Sequence, residues 1–151
     1  MQYIYQSPLG TLTVTLVDNE ITSIVFGEKP FDKLRVTGKT ALIKKIQKQL
    51  DDYFAGKLMN FDLPVHYKGT PFQMKVWKYL QAIPYGQTVS YHTVAKAVGH
   101  PKSARAAGTA CKRNPIPIII PCHRVISATG EIGEYAGGKT RKTKLLKLEQ
   151  G

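Results

Sequence analysis

The sequence predicts an α/β chain in two parts: a small antiparallel sheet covered by one helix over residues 1–66, and a helical part containing a helix-turn-helix over residues 67–151. Three observations carry that reading. Apolar and polar residues alternate through the first 26 positions, as half-buried strands require. From Leu42 onward the apolar residues recur at helical spacing instead. The charge is also uneven: Met1 to Val65 carries 8 Lys+Arg against 7 Asp+Glu, whereas His66 to Gly151 carries 14 against 3, so nearly all of the net +12 belongs to the second part.

Residues 2–7, 11–17 and 21–26 read as three strands. Leu12, Val14 and Leu16 alternate with threonines, and Pro8-Leu9-Gly10 and Asp18-Asn19 supply turn chemistry, which together describe a meander. A polar loop is expected through Gly38. Leu42, Ile43, Ile46, Leu50, Tyr53 and Phe54 then mark a helix, with Gly56 where a C-terminal cap belongs. That helix is expected to cover one face of the sheet. Lys57 to Gly69, with Pro64 inside it, reads as a strand or an extended linker.

The second part opens on Thr70-Pro71, an N-cap followed by proline at the first helical position, and Phe72, Val76, Trp77, Leu80 and Ile83 follow as an apolar stripe. Pro84-Tyr85-Gly86 turns the chain. Ser90 can cap a helix from Tyr91 to Val98 that ends at Gly99, and after His100-Pro101 a second helix is expected from about Ser103 to Arg113. Two short helices joined by a glycine-containing turn read as helix-turn-helix.

Composition sets the class. Hydrophobic content of 42% with charged content of 21% is that of a soluble globular protein, and 151 residues suffice to bury a core. Met1 is followed by no basic, apolar leader, and no apolar run approaches bilayer length, so neither export nor a membrane partner is expected. Cys111 and Cys122 are too few for a disulfide scaffold or a four-cysteine zinc site, and a reduced, cytoplasmic setting is expected. The basic excess of the second part is the electrostatic footprint of a nucleic-acid partner, or else simply a soluble basic surface.

The chemistry concentrates at one point. Ile116 to Ile120 is β-branched and bracketed by prolines, so it reads as a buried strand that stops at Pro121 and presents Cys122, followed at once by His123. On residue type alone Cys122 is either a small buried hydrophobe, as most free cysteines are, or a nucleophile. Neighbours on a strand point to opposite faces, so Cys122 and His123 would need a turn or a bridging water to couple. Upstream, the helix from Ser103 carries Ala104, Ala106, Ala107, Gly108 and Ala110 around the projecting Arg105, with Lys112 and Arg113 at its end. Such small side chains suit either tight helix packing or insertion into a narrow minor groove, and not base reading in the major groove, which needs several long polar side chains.

Taken together, Ile83-Pro-Tyr-Gly86, Ser90-Tyr91, Ala104-Arg105-Ala106, Asn114-Pro115, Pro121-Cys-His-Arg-Val125 and Tyr135-Ala-Gly-Gly138, in that order between Thr70 and Glu149, resemble the O6-alkylguanine-DNA alkyltransferases. The first part matches in outline the ribonuclease-H-like domain of that family, and the second would be a winged-helix-like DNA-binding domain. The resemblance implies a monomer that needs no cofactor or metal and repairs duplex DNA by irreversible transfer of the alkyl group from O6-alkylguanine, and from O4-alkylthymine, to Cys122. His123 would take the thiol proton through a water, Glu149 would orient and charge the imidazole, Asn114 would support the active-site strand, and Tyr91 would protonate the leaving base. Arg105 would fill the gap left by a flipped nucleotide, with Ser103, Ala104, Lys112 and Arg113 also on DNA. Pro117, Gly133, Tyr135 and Ala136 would line the base pocket, and where many relatives have serine Ala136 leaves only a backbone N–H for the base.

Three other readings weigh less. A cysteine hydrolase needs an oxyanion hole and gives no reason for the basic small-residue helix. A lesion-recognition module without transfer activity would lack the acceptor thiol. A sequence-specific regulator would be an added role.

Overall fold

The computed structural model describes residues 1–27 and 40–151, and the loop expected through Gly38 lies outside the described residues. The chain divides into two compact units, Met1–Tyr67 and Lys68–Gly151.

In the first unit β1 (Gln2–Ser7), β2 (Gly10–Val17) and β3 (Glu20–Phe26) form an antiparallel sheet in chain order. The β2–β3 turn places Asp18 and Asn19 at φ 51° and 62°. Two left-handed residues in succession give the primed turn whose twist matches the flanking strands, and Asp and Asn tolerate that region better than most side chains. Helix α1 (Ala41–Phe54) begins where the Thr40 hydroxyl accepts the Ile43 N–H at 3.2 Å. Gly56 at φ 75° follows its end. Leu42, Ile43, Ile46, Leu50 and Tyr53 on α1 and Leu12, Val14, Ile21 and Ile24 on the sheet are buried. The Tyr5 hydroxyl donates to Asp51 Oδ1 at 2.6 Å and so ties β1 to α1. The stretch from Lys57 is extended rather than a full strand, touching the sheet through a single bridge between Val65 and Ile21.

In the second unit α2 (Pro71–Leu80) starts with a reciprocal capping box between Thr70 and Gln73 and buries Val76, Trp77 and Leu80. Helices α3 (Tyr91–Ala97) and α4 (Ala104–Lys112) pack on one another, joined by a turn in which Gly99 adopts φ 86°. The Trp77 indole N–H donates to the Ala110 carbonyl at 2.8 Å, fastening α2 to α4. Two-residue strands β4 (Val89–Ser90) and β5 (Val125–Ile126) pair in parallel, too short to leave any periodicity in the sequence. Helix α5 (Lys139–Gln150) closes the unit.

One expected element is absent. Ile116–Ile120 is a tight loop and not a strand, with Pro117 bridged to Ile120 and Ile118 at φ 75°. Pro115 and Pro117 have no N–H to give a ladder. The Asn114 side chain supplies the missing bonds: Oδ1 accepts the Ile116 N–H at 2.9 Å and Nδ2 donates to the Ile120 carbonyl at 2.7 Å. A β-branched residue in the left-handed region is a strained feature, and here it sits four residues before Cys122.

Candidate active site

Cys122 opens a single 3-10 turn, Cys122–Arg124, immediately after the Asn114-braced loop. Successive side chains on such a turn diverge by roughly 120°, so Cys122 and His123 do not point to opposite faces as they would on the expected strand. Both are buried. The Cys122 N–H donates to the Ile120 carbonyl at 2.8 Å, the same oxygen that Asn114 holds.

Burial pushes the Cys122 thiol up to about 11, against the opposing pull of the Asn114 amide, the Lys142 ammonium and its own backbone N–H. At rest it is a thiol. Burial likewise holds the His123 imidazole below its usual 6.5, although Glu149 pulls it the other way. The resting pair is therefore neutral thiol and neutral imidazole.

Burial is the main reason, and the Arg124 guanidinium adds to it. Glu149 is buried on α5, where its Oε2 lies 2.6 Å from His123 Nε2. The same carboxylate accepts Arg124 Nε on Oε1 at 2.7 Å and Nη2 on Oε2 at 3.1 Å, while Nη1 donates to the Ile83 carbonyl at 2.6 Å. A forked guanidinium neutralises the carboxylate before the imidazole can. A neutral imidazole that donates its Nε2 proton to this carboxylate keeps Nδ1 as its basic lone pair. Nδ1 is buried and has no protein hydrogen-bond partner.

Ile83-Pro-Tyr-Gly86 completes this arrangement. Tyr85 lies 5.7 Å beneath the Arg124 guanidinium and its hydroxyl donates to the Leu148 carbonyl at 3.4 Å. The Gly86 N–H points at Glu149 Oε1 at 3.4 Å, and Gln150 Nε2 donates back to the Gly86 carbonyl at 2.9 Å.

On the other side of the thiol stands Lys142, fully buried on α5. Its Nζ donates to the Val125 carbonyl at 2.6 Å, to the Tyr91 hydroxyl at 3.2 Å and to the Glu134 carbonyl at 3.3 Å. Desolvation lowers the ammonium from its usual value, and the two nearby cysteines raise it. Tyr91 is held at the first position of α3, where the Ser90 hydroxyl accepts the Thr93 N–H at 3.0 Å. Burial and the neighbouring sulfurs push its phenol up to about 12, so it is a hydrogen-bond donor throughout the ordinary pH range. Gly133 lies against it at φ 75°, and a β-carbon there would fall 2.6 Å from the Tyr91 oxygen.

Tyr91 also lines a cleft of about 800 Å³ together with Ala104, Arg105, Lys112 and Arg113 from the small-residue helix. Gly108 of the same helix lines it, as do His92, Ser127 and Glu134, which did not stand out in the sequence. Arg105 is exposed, free to project. Lys112 Nζ meets Glu134 Oε2 at 3.2 Å, an exposed pair at the cleft. Ser103, Pro117, Tyr135 and Ala136 are not among the residues lining this cleft, and Pro117 and Tyr135 are buried. Cys111 is on α4 but is buried, and burial raises its thiol to about 12, so it is not on the exposed face of that helix.

Arg124 and Lys142 were the residues missed. Both left a signal: Arg124 interrupts the apolar run Ile120 to Ile126, and Lys142, Leu145 and Glu149 fall at i, i+3 and i+7, one helix face. Among the described residues no group of three or more His, Cys, Asp or Glu side chains could hold a metal ion, and no helix is long and apolar enough to cross a membrane.

Comparison with known proteins gives a consistent picture. The family model described as "6-O-methylguanine DNA methyltransferase, ribonuclease-like domain" matches residues 2–67, and that described as "6-O-methylguanine DNA methyltransferase, DNA binding domain" matches residues 71–151. The chain is 41% identical to the constitutive methylated-DNA–protein-cysteine methyltransferase of Bacillus subtilis, over 96% of this chain and 92% of that one. It is 43% identical to the methylated-DNA–protein-cysteine methyltransferase of Mycobacterium tuberculosis H37Rv, over 95% and 88%. The crystal structure of Mycobacterium tuberculosis OGT in complex with DNA matches with a TM-score of 0.88 at 42% identity, covering 97% of this chain and 91% of that one.

Proposed function

The chain belongs to the 6-O-methylguanine DNA methyltransferase family, and we propose that it repairs duplex DNA by moving the alkyl group of O6-alkylguanine, or of O4-alkylthymine, onto its own Cys122. One observation carries the proposal: the buried Cys122 shares a turn with His123, whose buried Nδ1 has no protein hydrogen-bond partner, and Tyr91, near enough to feel the Cys122 sulfur, lines a cleft with Arg105, Lys112 and Arg113. A cysteine hydrolase would need an oxyanion hole and would give no reason for the basic small-residue helix that lines the cleft.

The reaction follows from the residues. With the damaged nucleotide rotated out of the duplex and Arg105 in the gap, the Cys122 sulfur attacks the alkyl carbon in line. The S–C bond forms as the C–O6 bond breaks, and the electron pair passes to the guanine. The thiol proton moves toward His123 Nδ1 through a bridging water, because the thiol is too weakly acidic to ionise unaided. Tyr91 gives its hydroxyl proton to the purine so that neutral guanine leaves, and Lys142, which donates to the same oxygen, replaces that proton. Pro117, Gly133, Tyr135 and the backbone of Ala136 surround the base, and Ser103, Ala104, Lys112 and Arg113 hold the strand. Asn114 fixes the loop that aims the sulfur.

A thioether does not hydrolyse, so each molecule acts once, as a monomer in the cytoplasm. A binding module without transfer activity is disfavoured by the acceptor thiol itself. Cys122→Ser tests the proposal: it should bind duplex DNA as the parent does and accept no alkyl group, whereas Cys111→Ser should still react. Transfer that persists in Cys122→Ser refutes it.

A further inference from the structure

We infer that Arg124 is a positioning residue that decides where the proton sits between His123 and Glu149, keeping His123 a neutral base with Nδ1 open to the Cys122 proton. The inference rests on the reading of Cys122 as alkyl acceptor and assigns a task to a residue that reading leaves unused.

Charge counting leads there. Arg124 is nine-tenths buried and spends two of its three guanidinium nitrogens on Glu149 at 2.7 and 3.1 Å. Its third nitrogen is anchored on the Ile83 carbonyl at 2.6 Å, and Tyr85 stacks beneath, so the cation cannot swing away. The Arg124–Glu149 unit is neutral as a whole. His123, 2.6 Å from the same carboxylate, then needs to contribute no charge.

Remove the guanidinium and a buried carboxylate is left beside an imidazole, an arrangement that stabilises the protonated ring. The extra proton would occupy Nδ1, the atom that has to receive the thiol proton. No bond to Arg124 forms or breaks in the reaction; the proton still travels from sulfur to Nδ1 and the electron pair to guanine O6. The other charged or titratable groups around His123 are Lys142 and Glu149 from α5, Cys122 from its own turn, and Tyr85 from the segment after α2.

The test reads the imidazole directly. In the unliganded wild-type protein, 15N NMR of His123 should show the neutral ring with its proton on Nε2 at pH 7. In Arg124→Gln the titration midpoint should move up, and alkyl transfer should be roughly tenfold slower than wild type at pH 6 yet within about twofold at pH 8. Arg124→Lys keeps the charge and should keep the wild-type midpoint while losing stability, because an ammonium cannot fork. An imidazolium in the wild type at pH 7, or a folded Arg124→Gln with an unmoved midpoint, overturns the inference. If Arg124→Gln does not fold, the wild-type ring and Arg124→Lys decide it. A wild-type protein that shows the stated ring but transfers no alkyl group would instead refute the acceptor reading and leave the proton assignment standing.

Discussion

Arg124 and His123, adjacent in the chain, converge on one buried carboxylate, that of Glu149, with contacts of 2.7 and 2.6 Å. The carboxylate is thus both the orienting partner of the base and the counter-ion of a buried cation. These two roles separate in experiment.

Glu149→Gln should damage stability and chemistry together. Taking away the carboxylate leaves Arg124 buried without its counter-ion, a loss of about 3–5 kcal/mol when one partner of a buried pair is removed. The imidazole also loses the group that orients it and raises its basicity, so alkyl transfer should slow. Urea denaturation and single-turnover rates measure the two effects. Affinity of the folded protein for undamaged duplex should not change, since Glu149 is buried away from the cleft.

The pH dependence follows from the direction of the His123 shift. Its folded value lies below the ordinary 6.5, so the unfolded chain binds the proton first as pH falls. The contribution of neutral His123 to stability is complete above 6.5 and is lost progressively below it. Transfer should decline only at lower pH, as the folded-state Nδ1 itself takes a proton and can no longer receive the thiol proton. Measured downward from pH 8 in wild type, the midpoint denaturant concentration should begin to fall before the rate does. In His123→Phe the acid limb of the rate should vanish along with most of the activity.

Much of this could be read in the sequence, and the parts that could not share a cause. Strands, helices and their caps were legible because Leu12, Val14 and Leu16 keep a period of two and Leu42 to Tyr53 a helical one. The Cys122 loop reads as a strand in the sequence because isoleucines signal burial without specifying backbone form, and the Asn114 bonds that bend Ile116 to Ile120 span two and six residues. The thiol and imidazole were legible as a pair. Their charge state was not, because it depends first on burial and then on Arg124 and Lys142, whose partners lie 25 and 51 residues away in the chain.

Gly133→Ala should impair transfer without touching the nucleophile. The new β-carbon would fall 2.6 Å from the Tyr91 oxygen at a backbone φ of +75°, so either the loop or the phenol must move. The left-handed backbone alone costs about 1–2 kcal/mol for a residue with a β-carbon. Single-turnover transfer should drop by about tenfold or more, a barrier change of roughly 1.4 kcal/mol. Reaction of Cys122 with a small thiol reagent should stay within about twofold of wild type.

Arg105→Ala should slow repair of duplex DNA more than reaction with the free O6-alkylated base, since only the duplex substrate requires extrusion of a nucleotide. Binding should remain steeply salt-dependent and nearly indifferent to sequence, because phosphate contacts from the basic unit dominate. Equal slowing on both substrates would remove Arg105 from the flipping step.

The most direct measurement is intact-mass analysis followed by peptide mapping after incubation with an excess of duplex carrying O6-methylguanine. The proposed mechanism predicts a gain of one methyl group per molecule and no more, however long the incubation, with the methyl on the peptide containing Cys122 and Cys111 unmodified. A methyl group on Cys111, on neither cysteine, or repaired DNA in molar excess over protein would contradict it.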